Sequence, residues 1–237
     1  MFTRNESFSA FLYKFPLTSF FIITQILVWA FFALPLKDAP YWFSALDGYN
    51  AAIAHGEWWR LATPVFLHAN FSHLFFNTIS IILFAPALEE MLGKAKFILL
   101  YIGSAILANA ATFMIQPLEY SHVGASGAIF GLFGCYLFMA LFRKNQITRA
   151  NAQVLLIILA LSFLTSFFSP STNVTAHFFG LVSGFGFSSV LIKKEAFAPY
   201  SFYSGGTRRQ SLNWNKKNLL WTAVLLLALL GIISRFF

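Results

Sequence analysis

The chain has 237 residues, of which 58% are hydrophobic and only 10% charged, with 31 phenylalanines. A soluble domain could not cover so apolar an interior with so little polar surface, so composition excludes a water-soluble globule and points to a membrane protein. The formal charge of +8 does not imply nucleic acid, because no dense basic patch with interleaved aromatics stands on a soluble domain. Cys135 is the single cysteine, which excludes a disulfide within this chain, and its apolar neighbours suggest a packed thiol.

A helix needs about 20 apolar residues to cross the hydrocarbon layer. Seven stretches qualify: 17–34, 71–92, 97–115, 123–142, 152–168, 173–192 and 218–237. The fold class expected is therefore an all-α polytopic membrane protein. The first stretch resembles the apolar part of a signal peptide. It is long for one, lacks a small-x-small cleavage site before Pro35 and is followed by further spans, so it is expected to be retained. The fifth is short and carries Ser162, Thr165 and Ser166.

With an internal N-terminus, thirteen lysines and arginines fall in inside segments and only Lys37, Arg60 and Arg235 fall outside. That bias predicts a cytoplasmic N-terminus over residues 1–16 and an outside C-terminus. The connection 35–66, rich in Tyr41, Trp42, Phe43, Trp58 and Trp59, is expected at the outer membrane interface. Residues 193–217, with Pro199, Gly205 and Gly206, read as a cytoplasmic linker between a six-helix body at 17–192 and an added span at 218–237. No internal repeat is visible, which counts against inverted-repeat transporters.

Polar groups in hydrocarbon are expensive, so each needs a partner or a purpose. His73 and Asn77 share one face of span two at i, i+4, Gly124-Ala125-Ser126-Gly127 opens span four, and His177 stands in span six. Ser126 is 17 residues from Arg143, His177 is 16 from Lys193, and Asn77 is 17 from Lys94. These heights are all about 24–26 Å from the inner boundary, with His73 one turn higher. Taken singly, the serine reads as a packing residue, the histidine as an interhelical hydrogen bond, and His73 and Asn77 as glue between helices. Together they place a nucleophile, a base and two hydrogen-bond donors in one layer. A helix starting near Ser126 would be only about 25 Å long, too short for a core of about 30 Å, so its head should open into a hydrated cavity. Free N–H groups and the positive dipole end would there favour a developing oxyanion. Gly127 and Gly131, and Gly180 and Gly184, repeat at GxxxG spacing on faces that allow spans four and six to approach closely.

These residues resemble the rhomboid family. Gly124-Ala125-Ser126-Gly127 is similar to its G-x-S-G motif, and Ala176-His177-Phe178-Phe179-Gly180, continuing to Gly184, to its A-H-x-x-G-x-x-x-G motif. His68, His73 and Asn77 match its helix-two signature, Trp59-Arg60 its outside-loop pair, and Glu89 its acidic residue near the inner end of helix two. The resemblance spans roughly Trp58 to Gly184. It implies a six-helix bundle with a seventh C-terminal helix, a Ser126–His177 dyad without an acidic third member, and an oxyanion site formed by Asn77, His73 and the Ser126 N–H. Phe130 stands where some members have a tyrosine that stacks on the histidine; it can stack but cannot hydrogen-bond.

The expected activity is intramembrane serine endopeptidase, cutting transmembrane segments of membrane proteins near the outer surface of a bacterial cell membrane. Its partners would be those substrates and the lipid bilayer, with no nucleic acid, cofactor or metal, and the sequence leaves the oligomeric state open. Span five, with Phe163, Phe167 and Phe168, is the candidate lateral gate. Glu89 and Glu90, far below Ser126, read as structural hydrogen-bond partners, and Trp59-Arg60 as either an interfacial anchor or a stiffener of the outside loop. The alternative is a catalytically inactive rhomboid-like protein that binds membrane clients, although such proteins typically lack the Ser or the His. A transporter would need paired acids or broken helices near the midplane, and the sequence has neither.

Overall fold

The computed structural model describes residues 1–192 other than 3, 170 and 171; the expected linker at 193–217 and seventh span at 218–237 lie outside the described residues. The described residues contain no strand. Six long apolar helices account for six of the seven expected spans: α2 (Pro16–Ala33), α5 (Phe71–Leu92), α6 (Lys94–Ile115), α7 (Ser126–Phe142), α8 (Arg149–Phe167) and α9 (Val174–Leu191). Three shorter helices, α1 (Phe8–Lys14), α3 (Ala39–Leu46) and α4 (Asn50–Ala54), and two 3-10 turns at Trp58–Leu61 and Thr63–Phe66 were not expected as separate elements. Phe20, Leu27, Phe76, Leu107, Ile157 and Leu161 all point outward from the long helices, the reverse of a water-soluble bundle. Lipid is the solvent this surface suits.

Local chemistry marks where the helices begin. The Asn70 side chain accepts the His73 N–H at 2.9 Å, which starts α5 and orients its first turn. Asn173 does the same for α9, accepting the Ala176 N–H at 2.9 Å while its amide donates to Thr112 Oγ1 on α6 at 3.0 Å. Glu89, deep on α5, caps α2. Its carboxylate accepts the Leu17 and Thr18 N–H groups, each at 2.8 Å, and the Thr18 hydroxyl at 2.7 Å. Glu89 is thus a structural partner, as its depth implied. Gly93, with φ +74°, lets α5 turn directly into α6.

α7 is the central helix. Every residue from Gly127 to Tyr136 is buried, matching a sequence that is apolar all round. It packs most closely on α9 and α6, meeting α9 through backbone and α6 through small side chains. A Cβ at Gly180 would collide with the Gly127 carbonyl oxygen, one at Gly184 with the Gly131 carbonyl oxygen, and one at Gly127 would stand 3.0 Å from Ala108 Cβ. The small-residue spacing in spans four and six is therefore a true contact face. Cys135 lies fully buried within it as a free thiol.

The connection from α2 to α5 is stitched together by Arg60. Its guanidinium donates to the Ser44 carbonyl at 2.6 Å, to Asp47 Oδ1 at 2.7 Å and to Glu57 Oε2 at 2.7 Å. Trp59 Nε1 donates to the Ala45 carbonyl at 3.1 Å. The pair therefore stiffens the loop, while the Trp59 ring stays half exposed. The backbone of 48–51 pairs with that of 118–122, the Gly48 N–H donating to the His122 carbonyl at 2.9 Å. Gly124 N–H donates to the Pro64 carbonyl at 2.9 Å, which anchors the approach to α7.

His122 makes this seam sensitive to acid. Its Nε2 lies 3.0 Å from Asn109 Oδ1, and Asn109 donates to the Leu61 carbonyl at 2.9 Å. Burial pushes the His122 pKa down to about 4, with the Gly48 backbone opposing the shift. A depressed histidine stabilises the fold in its neutral form, fully above its unfolded pKa of about 6.5, and that contribution is lost as pH falls towards the folded value. Between pH 6.5 and 4 the protein is expected to lose up to about 3 kcal/mol through this group. His122→Gln keeps a donor for Asn109 and should flatten that loss in denaturant titrations at pH 7 and pH 4.5. An unchanged pH dependence would show that another group, such as the buried His68, is responsible.

Candidate active site

The site begins with the shortness of α7. Ser126 is its first residue, and the preceding Ala125 has no side-chain oxygen with which to cap it. The first N–H groups of the helix, including that of Ser126, therefore lack intrahelical partners and carry the positive end of the dipole. With 17 residues, α7 is about 25 Å long, so its head lies short of a full crossing. Ser126 is half-buried, and its hydroxyl has no hydrogen-bond partner among the described residues.

His73 and Asn77 reach the same place from α5. Gly124 has φ +125°, and a Cβ there would stand 2.5 Å from His73 Cε1, 2.6 Å from His73 Nε2 and 3.7 Å from Asn77 Nδ2. Both side chains thus lie against the peptide two residues before Ser126. Only glycine accepts this φ without strain and leaves room for the imidazole.

His177 comes from α9. It is buried, and its ring stacks on Phe130 with centroids 4.2 Å apart and planes 17° apart. Phe130 is four residues after Ser126, so both side chains lie on one face of α7, one turn apart. The Gly127–Gly180 contact brings the two backbones together at this level. The expected stacking of phenylalanine on the histidine is present.

Two further residues enter from positions that sequence reasoning left without a role. His68 precedes α5, and its Nε2 lies 3.0 Å from Asn77 Nδ2. An amide nitrogen can only donate, so His68 accepts and must be neutral. Burial first, and the nearby His73 second, push the His68 pKa down to about 3, with the Phe66 backbone opposing. This bond uses one Asn77 N–H and leaves the other for the space beside Gly124. Ser166, on α8, lies 2.8 Å from His177 Nδ1. A polar residue in an apolar helix needs a partner, and that was the available signal. Which partner it finds depends on how α8 packs. Phe163 of α8 packs edge-on against Phe130 at 4.9 Å, Phe167 is half-buried, and Phe168 is exposed. Among the described residues no cluster of three or more His, Cys, Asp or Glu could hold a metal ion.

Comparison with known proteins shows the family. Residues 55–194 match the Rhomboid domain, a segment containing every candidate site residue. The YdcA protein of Bacillus subtilis is 49% identical over 195 residues, covering 82% of this chain and 98% of its own. Rhomboid protease GluP of Bacillus subtilis is 35% identical over 172 residues, covering 71% of this chain but 33% of its own. Rhomboid-like protease 1 of Toxoplasma gondii is 36% identical over 186 residues, 74% of this chain and 60% of its own. The domain match, the near full-length likeness to YdcA and the multi-pass helical fold establish that this integral membrane protein belongs to the rhomboid family.

Proposed function

We propose that the protein is an intramembrane serine endopeptidase that cleaves transmembrane segments of membrane proteins with a Ser126–His177 dyad. The observation that carries this reading is the position of Ser126. Its free hydroxyl sits at the uncapped head of α7, with His177 stacked on Phe130, the residue one turn along that helix, and His73 and Asn77 around Gly124. Relatives named as rhomboid proteases support the same reaction class.

In the reaction, Ser126 Oγ attacks the scissile carbonyl carbon as His177 Nε2 takes its proton. The carbonyl oxygen becomes an oxyanion facing the Ser126 N–H and the side chains of Asn77 and His73. Collapse breaks the C–N bond, and the amine leaves with the proton from His177. Water then attacks the acyl-enzyme with His177 again as base, the C–O bond to Ser126 breaks, and His177 returns the proton to Ser126 Oγ as the carboxylic acid product leaves. A substrate helix must unwind to present its backbone to Ser126, so helix-breaking residues near the cut favour cleavage. With the N-terminus cytoplasmic, this chemistry takes place near the outer face of the membrane.

The test is cleavage of a single-span reporter in lipid vesicles by wild type, Ser126→Ala and His177→Ala at equal folded concentration. Cutting by wild type alone supports the dyad, whereas cutting by Ser126→Ala sinks the assignment. No cutting by any of them, together with no labelling of Ser126 by a fluorophosphonate, favours the inactive client-binding alternative. Asn77→Ala removes one oxyanion donor and is expected to lower kcat by about 100-fold to 1,000-fold with little change in KM. A rise in KM alone would instead make Asn77 a substrate-binding group. We further propose that α8 is the lateral gate, because Phe163 on Phe130 is one of only a few buried contacts it makes. Full activity on membrane substrates after crosslinking α8 to α5 would count against that role.

A further inference from the structure

Stacking on Phe130 leaves one thing about His177 undecided. Rotating the imidazole by half a turn about its Cβ–Cγ bond preserves the stack but exchanges Nδ1 with a ring carbon. Neither the ring's orientation nor its tautomer follows from the aromatic contact.

Ser166 decides both. It is 4% exposed, with its Oγ 2.8 Å from His177 Nδ1 and 2.6 Å from the Ser162 carbonyl oxygen, one turn back on α8. A serine hydroxyl has one proton and two lone pairs, and a carbonyl oxygen can only accept. The Ser166 proton therefore goes to Ser162, and Ser166 presents a lone pair to His177. A nitrogen 2.8 Å from that lone pair must carry a hydrogen. A neutral imidazole has one N–H, so an N–H at Nδ1 leaves the lone pair on Nε2.

We propose that Ser166 is a positioning residue that holds His177 in the Nδ1–H tautomer, so that Nε2 is free to take the Ser126 proton. This rests on His177 being the base of the proposed protease. A neutral hydroxyl, polarised by the Ser162 carbonyl, thus does what a buried aspartate does in soluble serine proteases. The consequence is tied to α8. That helix buries Leu155, Leu159, Phe163 and Ser166, and the last two are its contacts with Phe130 and His177. Withdrawing α8 removes the tautomer's support along with the edge contact on the stacked ring.

The test uses the full chain in lipid, with Ser166→Ala and Ser166→Thr, reporter kinetics, and ¹⁵N spectra of labelled histidine assigned through His177→Ala. Wild-type His177 is expected to show its proton at Nδ1. Ser166→Ala is expected to move it wholly or partly to Nε2 and to lower kcat about tenfold or more at unchanged KM. Ser166→Thr, which keeps the hydroxyl, should restore both the spectrum and most of kcat. A wild-type proton at Nε2, an unaltered tautomer in Ser166→Ala, or equal losses in the alanine and threonine variants would overturn the proposal. Should Ser166→Ala fail to fold, the wild-type and threonine spectra still decide. If His177→Ala cleaves like wild type, the dyad reading falls, but the spectra still report whether Ser166 sets the ring's proton.

Discussion

Ser126→Ala is expected to lower kcat for reporter cleavage by about 10,000-fold or more, His177→Ala by a similar factor, and the double variant by no more than either alone. A hydroxyl is a weak nucleophile at neutral pH, and the α7 dipole alone does not remove its proton. The nucleophile and the base act in one step, so losing either forfeits what both supply. Initial rates in vesicles at matched folded protein check this. A double variant whose loss equals the product of the two single losses would mean independent action and a different base for Ser126. Residual cleavage common to all three variants would measure what the oxyanion donors and substrate binding contribute without the dyad.

The second large effect concerns stability. Gly184→Ala is expected to destabilise the protein by about 3 kcal/mol or more, while Gly186→Ala, two residues on, should be neutral or stabilising by up to about 1 kcal/mol. Both glycines lie in α9, so intrinsic helix preference favours alanine at each. Their surroundings differ. A Cβ at Gly184 would collide with the Gly131 carbonyl oxygen and stand 2.5 Å from the carbonyl carbon and 2.6 Å from Cα, whereas one at Gly186 meets nothing within 4 Å. The obstacle is α7 backbone, which cannot rotate away as a side chain can. The two helices must part, and Ser126 and His177 ride on them. Denaturant unfolding in micelles, paired with reporter cleavage, checks both halves. Equal stability of the two variants would show that helix preference, not the backbone contact, governs this face.

Much of this protein was legible from order and spacing alone. Long apolar stretches have to span a bilayer because their backbone groups must be satisfied internally. Gly124 cannot continue a helix at φ +125°, so α7 starts at Ser126 and is short. His73 and Asn77 share a face because helical periodicity leaves them no choice. Motif order along the chain was enough to suggest the rhomboid family, which the domain match over 55–194 shows.

What the chain could not reveal by itself is which face of each helix turns inward. In a soluble helix the apolar stripe points to the core, but in lipid nearly every face is apolar and the stripe vanishes. The partners of polar residues on different helices then depend on rotations and tilts that packing alone sets. His68 with Asn77, Glu89 with the head of α2, and Ser166 with His177 are all contacts of this kind. The sequence by itself determined the six spans among the described residues, the short central helix and the polar groups that need partners. Only the tertiary structure decided the pairings, because the glycine contacts between α7 and α9 set how α9 turns its imidazole, and the packing of α8 brings the Ser166 hydroxyl to it.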